Sequence, residues 1–472
     1  MRALLPLLTM GCSLSTLDRV ECESHESCRD AFGLGSVCVS DGYCSQTGLN
    51  PRCETTPEDL FEASADGEDR LVLGHLWRNQ SFDVEQRSVQ LAIRHANDSQ
   101  GLEGRLYGLV SCDTEALPGV DELEGEDATQ AMAAYLAEDL GLPAIVGATS
   151  SPETEAAYTV ANASDALLIS PSSTSPALTT LDGLTCSQSE PGLLWRTVPP
   201  DELQGIAIAQ DLDARSVKHV SVVYEEGSYG EGLANAIGNS FQGVQLDLYA
   251  FTGESDLGSA TTSAANGQAH EVVFITSSVD FVSGFLSAAA AINSYADLDL
   301  LLADAAYNQD IYDQLTGTSA ESLFPRIRGT RPTINEDSTV LQTFVASYSV
   351  AYEGEDATTA GFSAYAYDAG WLAVYGTAWA ASNEVGIGGI EMARGLRQIS
   401  NEDGPTVTLQ ASSWSQAQAL FRDGTDFDVV GASGNLNYDP DSCETSAPIE
   451  LWFLSPNADG SWDLRTDYIV EE

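Results

Sequence analysis

Small hydroxylated residues cluster at points of this chain where an anionic or polar small molecule could be held. The run A-T-S-S-P-E-T-E at 148–155 sets Ser151 directly before Pro152, a hydroxyl cap followed by proline at the first helical position. Free backbone N–H groups and the helix dipole make such a turn a site for a carboxylate. A second run, P-S-S-T-S-P at 171–176, brackets Ser172, Ser173 and Thr174 with prolines. In E-E-G-S-Y-G-E-G-L-A at 225–234, Tyr229 stands at the mouth of a helix, and Asp304 follows the apolar run 298–303.

Enzyme chemistry finds little support. The five histidines, His25, His75, His95, His219 and His270, are scattered, with no H-E-x-x-H or i, i+4 pair for a metal. No nucleophile elbow or phosphate-binding loop occurs. Paired carboxylates are uninformative in a chain with 71 acids. The expectation is a protein that is not an enzyme and that needs no cofactor and no metal.

The elements that position these residues emerge from periodicity. Short apolar runs at 71–76, 106–111, 144–147, 166–170, 219–224, 271–276 and 298–303 read as strands. Between them lie amphipathic helices, among them 84–97, where Val89, Ala92, Ile93 and Ala96 share a face, and 230–241, with Leu233, Ile237 and Phe241. Each hydroxyl run follows a strand, and in open α/β sheets ligands bind beyond the carboxyl ends of the strands. Strand–helix alternation over about 400 residues predicts an α/β chain with two doubly wound parallel-sheet lobes.

With 472 residues and a formal net charge of −52, the chain has ample length for several domains. That charge opposes nucleic-acid binding and any broad docking on anionic lipid. Lys218 is the single lysine. No stretch reaches 18 uninterrupted apolar residues, so no spanning helix is expected. Eight cysteines besides Cys12 suit four disulfides in an oxidising compartment. Five of them lie within 22–53; zinc is the rival reading there, with His25 as a further ligand, but no C-x2-C pair supports it. Five being odd, one should pair with a distant cysteine, and the connectivity stays open.

Two resemblances add to this reading. The start, M-R-A-L-L-P-L-L-T-M-G-C, is similar to a bacterial lipoprotein signal, which would make Cys12 the lipidated residue. Thr9 stands where that pattern prefers Leu, and an ordinary secretory signal is the alternative. The motifs I-V-G-A-T-S-S-P-E-T, L-I-S-P-S-S-T-S-P-A-L-T, W-R-T-V-P-P-D-E-L-Q-G and S-Y-G-E-G-L-A resemble type I periplasmic binding proteins, above all the leucine/isoleucine/valine-binding proteins of ABC importers. The tail segments G-N-L-N-Y-D-P-D and W-F-L-S-P-N-A-D-G-S-W look like that family's closing hairpin. Coverage runs in order from about residue 70 to 469.

The resemblance implies a two-lobed flytrap with three hinge crossings, near 195–198, 329–332 and 430–434. The implied organisation is a signal at 1–12, a Cys-rich stapled segment and linker at 13–68, lobe 1 at 69–197 plus 331–432, and lobe 2 at 198–330 plus 433–472. Ser151 would bind a ligand carboxylate. Ser172 and Thr174 would receive an ammonium through a main-chain carbonyl and a hydroxyl, with Ser173 between them also counted as ligand-binding. Asp304 would pair with that ammonium, Tyr229 would reach over on closure, and Trp77 would line the side-chain pocket. Ser277, Ser278 and Asp280 stand where the family carries an aromatic, which leaves room for a more polar ligand. The implied function is capture of an amino acid-like zwitterion and its delivery to an ABC permease. The alternative is a sensory lipoprotein read by a partner protein. Either would sit in the cell envelope, by the lipoprotein pattern in the outer membrane, held by its lipid anchor only.

Overall fold

A computed structural model of the chain describes residues 20–470, apart from 66–67, 79–81, 184–185, 268, 335–336 and 385. Cys12 and the rest of the leader therefore lie outside the described residues. The Cys-rich segment opens with helix His25–Phe32 and a hairpin of β1 (Ser36–Cys38) and β2 (Cys44–Gln46). Disulfides Cys22–Cys38 and Cys28–Cys44 staple it, so four of its cysteines are engaged with one another. The His25 ring accepts the Cys38 N–H at 2.9 Å. Arg29 docks this module on the first lobe by donating to the Asp139 carbonyl at 2.8 Å.

The first lobe is built on a sheet of β3 (Cys53–Thr56), β4 (Leu71–Trp77), β5 (Tyr107–Asp113), β6 (Ala144–Val146), β7 (Leu167–Ser170) and β8 (Leu194–Arg196). Its order is β3-β5-β4-β6-β7-β8, parallel except for the edge strand β3. That antiparallel edge was not expected. Cys53–Cys112 fastens it, supplying the distant partner that the odd cysteine required. The second lobe carries β9 (His219–Glu225), β10 (Gln245–Phe251), β11 (Glu271–Ile275), β12 (Asp299–Leu302) and β13 (Ile327–Pro332). After a short parallel pair, β14 (Thr406–Thr408) with β15 (Asp428–Val430), the hairpin of β16 (Ile449–Pro456) and β17 (Trp462–Val470) completes the second sheet. The order there is β10-β9-β11-β12-β13-β16-β17, with β16 antiparallel to β13. Both sheets are thus mixed rather than purely parallel.

The chain passes between the sheets three times: from β8 into helix Asp201–Ala214, from β13 into helix Thr339–Ala351, and from β15 into β16. One core gathers residues from Leu60 to Val198 with Ile334 to Tyr438, among them Trp371, Tyr375 and Trp414. Two others lie on the faces of the second sheet, around Phe274 and Phe285 and around Val222 and Ile275. The predicted helices at 84–97 and 230–241 are Asp83–Asp98 and Ser228–Ser240. Among the described residues no helix is long and apolar enough to cross a membrane.

Candidate functional site

The turn after β6 is built by a glycine. Gly147 has φ +138°, and a Cβ there would fall 2.3 Å from the Leu76 carbonyl, so only glycine lets the hydroxyl run fold back over β4. Helix Ser151–Ala163 then starts one residue earlier than the sequence reading placed it. Ser150, not Ser151, is the cap, because the Glu153 carboxylate accepts both the Ser150 N–H (3.1 Å) and its hydroxyl (3.0 Å). Ser151 becomes the first helical residue, and its Oγ accepts the Ser175 N–H at 3.2 Å. The Ser172 hydroxyl donates to the Thr149 carbonyl at 2.7 Å, tying the two hydroxyl runs into one wall.

From the other lobe, Gly227 (φ +132°) turns β9 into helix Ser228–Ser240, approaching Pro152 closely enough that a Cβ would meet its ring at 3.3 Å. Tyr229 thereby faces the first lobe, and Asp304, in the turn after β12, lies beside it. A half-open cavity of about 30 Å³ is lined by Phe82, Thr149, Ser150, Ser151, Ser172, Tyr229, Thr276, Ser277, Asp304, Ala305 and Phe362. At its mouth a further space of about 120 Å³ runs past Arg78, Glu153 and Glu225. Arg78 pairs with Glu153 at 2.8 Å. Glu225 accepts the Thr276 hydroxyl (2.6 Å) and the Ser277 N–H (3.1 Å), fixing the polar turn after β11.

Of the expected site residues, Ser151, Ser172, Tyr229 and Asp304 come together on this cavity, and Trp77, Ser173 and Thr174 do not reach it. Trp77 is 1% exposed at the end of β4, and its indole N–H donates to the Phe82 carbonyl at 2.7 Å. It therefore backs Phe82, which takes the wall position. Ser173 is turned under the helix, hydroxyl to hydroxyl with Thr154 at 2.7 Å. The Thr174 carbonyl accepts the Asp201 N–H at 2.8 Å, leaving its hydroxyl beside Asp201 rather than in the cavity. Phe82 and Phe362 are wall residues that sequence reasoning missed; no motif surrounds either.

The electrostatics of the floor are acidic. Burial pushes the Asp304 carboxyl up to about 7, although Gln204 donates to it. Asp201 is raised well above the ordinary carboxylate range, first by burial and then by the charge of Asp304. The Tyr229 hydroxyl approaches Asp304 without a hydrogen bond of normal geometry, and burial raises it too. Hydroxyls and a helix start on one side, with an acid and a phenol on the other, are complementary to an anionic and a cationic group respectively.

Comparison with known proteins bears on the fold and the family. Over 174 residues the chain is 32% identical to the chemotactic signal transduction system substrate-binding protein BasB of Halobacterium salinarum, which is 36% of this chain and 39% of that protein. Over 179 residues it is 25% identical to the leucine-, isoleucine-, valine-, threonine- and alanine-binding protein of Pseudomonas aeruginosa, 37% of this chain and 42% of that one. The matches thus span about two-fifths of each relative's length. Among solved structures, the fold is similar to the leucine-binding protein LivK of Thermotoga maritima, with a TM-score of 0.64, 17% identity and coverage of 85% and 99% of the two chains. It is also similar to the isoleucine complex of LivJ from Streptococcus pneumoniae (TM-score 0.61, 17% identity, 84% and 100% covered). A solute-binding protein of R. palustris bound to 4-hydroxybenzoate shares the fold at a TM-score of 0.63 and 12% identity, over 86% and 98% of the chains. The family profile for the receptor family ligand binding region matches residues 84–457, and the chain belongs to that non-enzymatic ligand-binding family.

Proposed function

We propose that this protein is an extracytoplasmic lipoprotein of the cell envelope that captures a small zwitterion, an amino acid, between its lobes and hands it to an ABC permease. The observation that carries the reading is the convergence of Ser151 and Ser172 from one lobe with Tyr229 and Asp304 from the other on a single cavity. The ligand carboxylate sits at the start of helix Ser151–Ala163, where dipole and charge-assisted hydrogen bonds favour it. Its ammonium faces Asp304. Closure follows because the ligand touches both lobes, and only that differential contact shifts the equilibrium. The moving bodies are 69–197 with 331–432 and 198–330 with 433–472; the separation of the cores supports this division except at its last boundary, since Leu436 and Tyr438 pack in the first core. Cys12 carries the lipid anchor.

A second reading has its own support: the chain matches a chemotactic substrate-binding protein and carries a stapled module docked on the first lobe. In that reading closure is sensed by a partner protein.

A thermal-shift screen of amino acids tests the function, since a ligand at 100 times its Kd adds about 2.7 kcal/mol of stability. Calorimetry on Ser151→Ala then tests the placement. Loss of one donor to a charged group costs about 1.5–3 kcal/mol, roughly 10- to 150-fold in affinity. Binding as tight as wild type would move the carboxylate elsewhere.

A further inference from the structure

Behind the cavity wall lies an acid, inside the W-R-T-V-P-P-D-E-L-Q-G motif, to which the resemblance gave no role. Asp201, the first residue of helix Asp201–Ala214, is 1% exposed, and its carboxylate accepts no hydrogen bond of normal geometry, the Thr174 hydroxyl being the side chain that approaches it. The Tyr229 hydroxyl approaches Asp304 in the same loose way, and Gln204 Oε1, on a buried residue nearby, is without a partner. Gln204, three residues along the same helix, directs its Nε2 to Asp304 and to the Thr330 hydroxyl (2.9 Å). Its acceptor oxygen is left over.

The charged and titratable groups facing this pair are few. Arg196 is the cation nearest Asp201, but its guanidinium is engaged by the Ser173 and Ser175 carbonyls, the Thr179 hydroxyl and the Glu444 carboxylate. Glu202 adds negative charge on the Asp201 side, and the phenols of Tyr229 and Tyr365 lie toward Asp304. Arg196 is matched by Glu444, so the two aspartates have no counter-ion of their own. Two buried carboxylates in that position must hold a proton or receive a cation.

We propose that Asp201 and Asp304 hold one proton between them and release it to solvent when a ligand's ammonium takes its place, so that Asp201 makes the cleft selective for amine-bearing ligands. The proposal rests on the ligand-binding reading above. The balance is simple: the singly protonated pair and R–NH3⁺ become the doubly ionised pair with R–NH3⁺ and one free proton. No covalent bond of the ligand changes. Capture then strengthens as pH rises toward the raised range in which the pair gives up its proton, by up to tenfold per pH unit for one proton released. A carboxylate lacking an amine gains nothing from the exchange.

Calorimetry on the full chain with L-leucine, L-threonine and benzoate between pH 6 and 8, in phosphate and in Tris, reads the released proton directly. Wild type should release close to one proton per bound amino acid, with affinity rising up to tenfold per pH unit. Asp201→Asn should release less than half as much, flatten the slope and narrow the preference for amino acid over benzoate. A ligand-free measurement runs alongside. Raised carboxyls keep a proton in the fold that the unfolded chain gives up, so the wild-type Tm should fall from pH 5 to 8, and less steeply in Asp201→Asn. Amino-acid binding without proton release by wild type overturns the proposal and leaves the ligand-binding reading standing. If none of the three compounds binds, that reading fails, and the Tm profiles alone decide whether the pair holds its proton; parallel profiles overturn it.

Discussion

The Ser175 hydroxyl donates to the Ser228 carbonyl at 2.8 Å, joining the turn after β7 of the first sheet to the helix that opens over the second. The same oxygen accepts the Ala177 N–H at 3.2 Å, so it is oriented from its own side before the lobes meet. A contact made only in the closed arrangement adds to the closure equilibrium and leaves the lobes themselves untouched. Ser175→Ala should cost about 0.5–1.5 kcal/mol of closed-state stability, seen as roughly 2- to 12-fold weaker capture of a ligand found in the screen. Its unfolding midpoint should move little. Unaltered affinity would mean that closure does not depend on this contact.

Arg196 holds the first crossing to the third. Its side chain is 2% exposed and pairs with Glu444, while its remaining donors go to the Ser173 and Ser175 carbonyls and Thr179. Removing one member of a buried pair strands the other, at about 3–5 kcal/mol. Arg196→Met should therefore lower the urea midpoint strongly, and Glu444→Gln less, since an amide still accepts from the guanidinium. Equal, small shifts for both would show that the pair is dispensable.

Much of the site was legible because it follows the strand ends: Ser151, Ser172, Tyr229 and Asp304 all stand in the first turns after β6, β7, β9 and β12. What escaped did so for physical reasons. Phe82 reaches the cavity because Trp77 packs edge-on behind it, a contact that no local pattern announces. Asp201 looks like one more acid in the first turn of a helix, and only the fold takes it out of water. The edge strand β3 is a four-residue C-E-T-T run, too short and polar to signal a strand, and it is held by its disulfide and its ladder to β5. The cap moved from Ser151 to Ser150 because Glu153 selects the residue three before itself.

The disulfides make a direct prediction. Cys53–Cys112 closes a loop of 59 residues, so its constraint on the unfolded chain is worth about 4 kcal/mol. Cys186–Cys443, spanning 257, ties the segment between β15 and β16 to the first lobe. Under denaturing, non-reducing conditions the eight described cysteines should yield no titratable thiol, leaving Cys12 as the one other source. Replacing Cys53 and Cys112 together by Ala should lower the urea midpoint without abolishing ligand capture, because neither residue touches the cavity. Two or more free thiols per chain would refute this pairing.

The last prediction concerns the third crossing. Asp368, inside helix Ser363–Asn383, accepts the N–H groups of Ala432 and Ser433, each at 2.8 Å, and the Ser433 hydroxyl at 2.6 Å. Burial nevertheless outweighs these bonds and pushes its carboxyl up to about 7. The folded value lies above the unfolded one, about 3.9, so the fold binds a proton there that the unfolded chain releases. The stability this group contributes is full below the unfolded value and is lost as pH rises through about 7. Asp368→Asn removes the titration. It also turns an amide N–H₂ toward a backbone or hydroxyl donor of Ser433, at a cost of about 1–3 kcal/mol. At pH 5 the variant should be clearly less stable than wild type, and by pH 8 the gap should narrow, because wild type then carries an ionised, buried carboxylate. Urea midpoints for both proteins at the two pH values measure the difference, with every other titrating group common to both. A gap that stays constant or widens toward pH 8 would show that Asp368 is ionised throughout, and that its three donors are enough to hold it so.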